Sequence, residues 1–246
     1  MAFSIVSCGN TENDDDNTPP VSDVDPNEKS DGTLTYEQYV AAPLKSDVVI
    51  EAFVQAKQGW WADKATLYLQ DGKGGYFSYN TVCSEELYGQ LAIGTKVKIS
   101  GQKIEWSGEV EISGGSVEIV PGDTWIAPVK DVTALLGDAS LVNDQNKKVS
   151  FKGLTVVAQK DSQNNDVAFL RNYDGSGIEG DDSDLYFNAS INGATYTFVI
   201  EYYLTGADSA AYQTVEALQV GDVIDMEGFL YWYNGSQPHI TKITVK

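Results

Sequence analysis

Basic residues are scarce in this chain of 246: sixteen Lys and Arg stand against 36 Asp and Glu, and Arg171 is the only arginine. The formal net charge is −20. Such a surface repels polyphosphate, since nucleic-acid binding needs a basic footprint that displaces counterions. With one arginine, bidentate phosphate forks are nearly absent as well. On charge alone, nucleic acid is not expected among the partners. His239 is the only histidine, which leaves no zinc cluster and only one place to build a Ser-His-Asp triad. The two cysteines, Cys8 and Cys83, form no CxxC pair for metal or redox work. No stretch approaches the ~20 apolar residues that a membrane-spanning helix needs.

What the chain does have is 14 tyrosines and 23 glycines, a composition that suits short strands joined by tight turns. At its start, Ile5-Val6-Ser7-Cys8 resembles the bacterial lipoprotein box, in which the cysteine is diacylated and becomes the new N-terminus. The apolar run before Cys8 is short and lacks basic residues, as a start upstream of Met1 would explain. Residues 9–29 are rich in Asp, Asn, Thr and Pro, with Asp14-Asp15-Asp16 at their centre. Residues 1–32 therefore read as a leader and a disordered acidic tether. The cysteine followed by an acidic run is similar to surface lipoproteins of Bacteroidetes-type bacteria. That resemblance implies export to the cell surface, with a lipid on Cys8 as the sole membrane contact.

The strongest internal signal is a repeat. Residues 91–101 align without gaps on 218–228, placing Leu91 on Leu218, Gly94 on Gly221 and Gly101 on Gly228. The match runs on through Trp106 and Tyr233 to Gly108 and Gly235. A turn followed by apolar residues at alternate positions predicts a strand with one buried face. Short helices are expected before each copy, over 84–91 with a Ser84 cap and over 208–218. Further upstream lie three strand-like runs per half. In the first half these are 48–57, 65–70 and 75–81. In the second they are 148–159, 167–171 and 185–204, the last with a hairpin at Ile191-Asn192-Gly193. Each half opens on a short helical segment, 35–42 and 131–136.

Three strands, a helix and two more strands is the order of the OB-fold, a five-stranded Greek-key barrel. The expected fold is mainly β with minor α: two tandem OB-like barrels, module one over 33–122 and module two over 123–246. The first half also resembles OB-type modules of extracellular proteins from gut bacteria. The likeness rests on Tyr36 and Tyr39, Trp60 and Trp61, and the run from Trp106 to Glu111. It implies a fold and a compartment but no ligand.

OB-folds bind across strands 2 and 3, framed by the loops joining strands 1–2 and 4–5. This map puts Trp60, Trp61 and Trp106 on the rim of module one, with Tyr76 and Tyr79 between them and Lys64 and Lys103 close by. Flat rings stack on sugars or bases, and lysines reach polar groups beside them. Module two keeps only Trp232 and Tyr233, so the first module is the expected binder. Asp174, Glu179, Asp181 and Asp182 form an acidic insert that starts like a calcium loop. Ser183 stands where the bidentate glutamate belongs, so at most weak Ca²⁺ binding is expected, and no other cofactor. Glu109 and Glu111 fall on one strand face expected to be solvated, and His239 is expected to be a surface or strand-end residue.

The function that follows is a non-enzymatic surface protein binding an extracellular glycan, peptide or protein. The alternatives are a single-stranded nucleic-acid binder aiding a surface nuclease, and a structural subunit of a surface complex.

Overall fold

The computed structural model describes residues 24–246, so Cys8 and the acidic run after it lie outside the described residues. Barrel one consists of helix α1 (Tyr36–Ala41), strands β1 (Asp47–Lys57), β2 (Lys64–Gln70) and β3 (Gly75–Val82), helix α2 (Glu85–Gln90), and strands β4 (Lys96–Trp106) and β5 (Glu109–Ile119). It closes in the order β1-β2-β3-β5-β4, with β3 and β5 parallel and the other pairs antiparallel. Thr35 and Ser84 cap the two helices through their hydroxyls, as short side chains with an acceptor oxygen do at helix starts.

The second half adds four short strands, β6 (Lys130–Asp131), β8 (Gln159–Lys160), β9 (Asp166–Val167) and β10 (Phe169–Arg171), around a second ring. The ring itself comprises β7 (Lys148–Val157), β11 (Leu185–Ile191), β12 (Ala194–Ile200), β13 (Val223–Phe229) and β14 (His239–Val245). Helices α3 (Tyr202–Thr205) and α4 (Ala210–Glu216) lie between its third and fourth strands. Strand β7 pairs with both β11 and β13, and β12 pairs in parallel with β14, which closes the same topology as barrel one. The chain is thus two OB-like barrels in tandem.

The repeat has a direct structural counterpart. Gly94 and Gly221 both adopt positive φ, +88° and +99°, in the turn entering the fourth strand. The Gly94 N–H donates to Val54 O at 2.7 Å, and the Gly221 N–H to Val156 O at 2.9 Å, locking each turn to its own first strand. Farther on, Ser107-Gly108 and Asn234-Gly235 form matching 4–5 turns, all four residues at positive φ.

One expected element is reassigned. The second strand of barrel two is not 167–171 but Leu185–Ile191, and the hairpin at Asn192-Gly193 joins strands two and three. Residues 169–171 form only an edge strand on β11. The loop between the first two strands of this barrel therefore spans 158–184, and it carries Phe169 and Tyr173.

Each barrel has its own core. Ile50, Leu67, Leu69 and Tyr76 are buried in the first, and Phe151, Phe187 and Phe198 in the second. Full burial of each such side chain contributes about 1.5–3 kcal/mol. A third cluster joins the barrels: Tyr68 and Phe77 of barrel one pack with Phe229, Leu204 and Tyr231 of barrel two. Residues 24–32, read in the sequence as the end of the tether, lie against barrel one. There the Lys29 Nζ meets Asp71 at 2.7 Å and donates to the carbonyl of Glu51.

Candidate functional site

Where the barrels meet, they leave a cleft of about 1090 Å³. Barrel one contributes Phe77 and Tyr79 from β3, Ile104 and Trp106 from β4, and Glu111 and Ser113 from β5. Barrel two contributes its second and third strands through Tyr186, Asn188, Thr197 and Val199, with Glu201 and Tyr203 just beyond, and its 4–5 connection through Tyr231 and Tyr233. Tyr173 and Asp184 come from its long 1–2 loop. This is the surface an OB-fold uses for binding, but it belongs to barrel two and is roofed by barrel one. The expectation that module one alone carries the site is corrected accordingly.

The two 4–5 turns touch each other here. Asn234 N–H donates to Ser107 O at 2.6 Å, and the rings of Trp106 and Tyr233 lie 5.2 Å apart. Trp232 packs over Gly108, where any Cβ would come within 2.8 Å of its ring. The register β3–β5 sets Glu111 directly beside Phe77, and β4–β5 sets it beside Ile104. Flanked by these apolar groups, Glu111 is 5 % exposed, and its carboxyl has no hydrogen-bond partner among the described residues. Burial raises its pKa to about 7. Glu201, with Oε2 unpartnered, is raised to about 8 by burial and by neighbouring Asp184. Asp184 is itself raised by burial, although its Oδ1 accepts the Tyr202 N–H at 2.8 Å.

Two corrections to the sequence reading fall at this seam. His239 is buried rather than exposed, stacked on Tyr231 at 4.1 Å, with Nδ1 2.7 Å from the Tyr68 hydroxyl. Burial lowers its pKa to about 3, so the ring is neutral at physiological pH, and a Tyr68 donor leaves its proton on Nε2. Glu109, expected with Glu111 on a solvated face, is fully buried, and its Oε2 accepts the Trp232 N–H at 2.9 Å.

The residues predicted for a rim are dispersed. Tyr79 and Trp106 line the cleft. Trp61 is 79 % exposed on the β1–β2 turn beside Lys64, outside the cleft lining. Trp60 is half-buried, and its indole N–H donates to Cys83 O at 2.8 Å. Tyr76 is a core residue whose hydroxyl donates to Asp71, so its place on the rim is corrected. Lys103 is corrected likewise: its Nζ donates to the carbonyls of Tyr39, Val40 and Ala42 at the end of α1. A cation there satisfies carbonyls that the helix leaves free. In the acidic insert, Asp174 and Asp181 accept N–H groups of Ser176 and Ile178 in their own turns, while Glu179 and Asp182 are exposed. No cluster of three or more His, Cys, Asp or Glu able to hold a metal occurs among the described residues.

Rings, amides, hydroxyls and three carboxyls, with no lysine or arginine, make up the polar and aromatic lining. Such walls stack on flat or ring-shaped ligands and hydrogen-bond their edges. The sequence missed the part played by Tyr186, Glu201, Tyr203 and Tyr231. The aligned pair Trp106 and Tyr233 was the one signal pointing to the second barrel.

No protein-family model and no curated protein matches the sequence. Among solved structures, the chain is similar to the Ifi202 HINa domain in complex with double-stranded DNA. That match has 10 % identity and a TM-score of 0.35, covering 82 % of this chain and 98 % of that one. It is also similar to a murine DNA-binding protein bound to double-stranded DNA, with 10 % identity, a TM-score of 0.33, and 82 % and 97 % covered. A replication protein A heterotrimer bound to single-stranded DNA gives 13 % identity and a TM-score of 0.30, with 82 % and 49 % covered. These DNA-bound structures stand against the expectation from charge that nucleic acid is unlikely among the partners, and that expectation is corrected. Similarity at this level transfers no ligand to this chain.

Proposed function

We propose that this chain is a non-enzymatic binding protein that holds an extracellular glycan or peptide in the cleft between its barrels. The supporting observation is the cleft itself, walled by eight tyrosine, tryptophan and phenylalanine rings from both halves and reaching the buried, unpartnered Oε2 of Glu201. Replacing Trp106 and Tyr233 together by alanine should lower retention on a ligand found by glycan and peptide arrays at least tenfold, since each stacked ring contributes about 1–3 kcal/mol. Trp61→Ala, outside the cleft, should leave it unchanged. A folded double variant that binds as the parent does would overturn the proposal.

Export and anchoring through Cys8 belong to the same proposal. Metabolic labelling with palmitate should mark the parent and not Cys8→Ser, and equal labelling would dismiss the anchor.

A second reading draws on the same rings. Bases stack on aromatic faces without regard to sequence, and strands two and three of an OB barrel face this cleft. A salt-dependent mobility shift of single-stranded DNA that Trp106→Ala removes would establish it in place of the first reading.

A further inference from the structure

We infer that the cleft selects a ligand bearing an organic cation, an alkylammonium or guanidinium group, which it holds between aromatic faces and the Glu111 carboxyl. This rests on the reading that the cleft is the binding site. Two independent features of the wall point to it. The first is composition: Glu111, Asp184 and Glu201 face the same space as Phe77, Tyr79, Trp106 and the tyrosines of barrel two, and no lysine or arginine lines it. Ring faces are electron-rich and attract a cation held within about 6 Å, the more so when water is displaced. The second is Glu111 itself. Carboxyls in a site for uncharged ligands are commonly held by a basic side chain or by N–H donors, as Asp184 is by the Tyr202 N–H. Glu111 has neither among the described residues and sits between Phe77 and Ile104 at 5 % exposure. A carboxylate buried without a partner is unfavourable, and a cation supplied by the ligand removes that penalty where a neutral sugar does not. The net charge of −20 steers cations toward the molecule from a distance.

Proton linkage gives the inference a signature. Glu111 and Glu201 lose protons near pH 7 and 8, and a bound cation favours their ionised forms. The other titratable groups facing the cleft are Asp184, the tyrosines and His239, the last already neutral. Affinity for a cation should therefore rise about tenfold from pH 6 to pH 8.5, with protons released on binding.

Three amine probes separate the sources of such a group: Nα-acetyl-lysine methylamide for a peptide side chain, glucosamine for an aminosugar and spermidine for a free polyamine. Each is titrated calorimetrically into the full chain beside its N-acetylated form. At least one amine should bind ten times more tightly than its acetylated counterpart, and the near-isosteric Glu111→Gln should abolish that preference. Equal binding of charged and acetylated forms, or binding by none of the amines, would overturn the cation inference. In the first of these cases, loss of binding in Trp106→Ala would leave the cleft standing as the site. Amine binding unaffected by both Glu111→Gln and Trp106→Ala would place the site elsewhere and overturn both readings.

Discussion

Gly75→Ala should destabilise the chain by about 3 kcal/mol and loosen the docking of its barrels, an effect beyond that expected of most surface changes. A Cβ at position 75 would overlap the carbonyl carbon and oxygen of Asn146 and come within 2.5 Å of the Lys147 nitrogen. These are backbone atoms, with no rotamer to give way. They belong to the segment that stitches the barrels together. The Gln145 side chain donates to Gly108 O at 2.8 Å and that of Asn146 to Val110 O at 3.1 Å, while Lys148 N–H donates to Gln70 Oε1 at 2.8 Å. Leu230 and Asn146–Lys147 also exchange backbone hydrogen bonds at 2.9 and 3.0 Å. Displacing the segment strains several bonds together, each worth about 1 kcal/mol. Urea unfolding measures the loss, and ligand titration should show the cleft weakened although Gly75 does not line it. Gly89→Ala, on a helix with nothing near its Cβ, is the control and should leave stability unchanged or raise it by up to about 1 kcal/mol. Equal behaviour of the two variants would mean that the seam tolerates displacement.

Glu109→Gln should stabilise the protein at pH 8 by about 2 kcal/mol or more, while changing little at pH 4. Glu109 is fully buried, and burial holds its pKa well above the usual carboxylate range. Its Oε1 has no partner, nor has the Asn146 Oδ1 of the adjoining carboxamide. A proton on Glu109, or the amide of a glutamine, would satisfy this place better than a second bare acceptor. The folded state thus binds a proton that the unfolded chain releases at ordinary acidity. Stability is complete below the unfolded pKa and falls as pH rises through the window between the two values. Glutamine removes this part of the slope, while Glu111 and Glu201 keep theirs. Below about pH 4 the direction reverses, because Lys130 and Lys147 hold Asp144, and the Ser30 N–H together with Lys96 holds Glu51, below their ordinary pKa, and their contribution is lost on protonation. Melting temperatures of parent and variant from pH 4 to 9 should diverge upward with pH, and parallel curves would refute the assignment.

Much of the fold was legible because its signals are local. Gly94 and Gly221 mark turns that need positive φ, and Ser84 caps a helix where its spacing predicts one. The strand error in barrel two was local as well. Asn192 and Gly193, at φ +51° and +80°, make the two-residue hairpin turn expected there, but it joins the second and third strands instead of lying within the third. The site was poorly legible because its burial comes from the other barrel. Tyr76 and Phe77 are neighbours with opposite faces, yet both are buried, one in its own core and one against Phe229 and Tyr231. Alternation along β5 marked Glu109 and Glu111 as solvated, since nothing in that strand announces the surface that covers it. The rim tryptophans were read from barrel one in isolation, so Trp106 was found and Tyr233 was undervalued.

That pair has a further consequence. Trp106 and Tyr233 occupy equivalent places in the repeat and meet each other, as Ser107 and Asn234 do. Contact between like positions is what two identical subunits make across a twofold axis. Here the subunits share one chain, so their association does not depend on protein concentration. A pair of free barrels would come apart on dilution, whereas this cleft stays assembled at any dilution. Because its halves need not be copies, one of them can carry Glu111 and the other Glu201, an asymmetry no homodimer of a single barrel could hold.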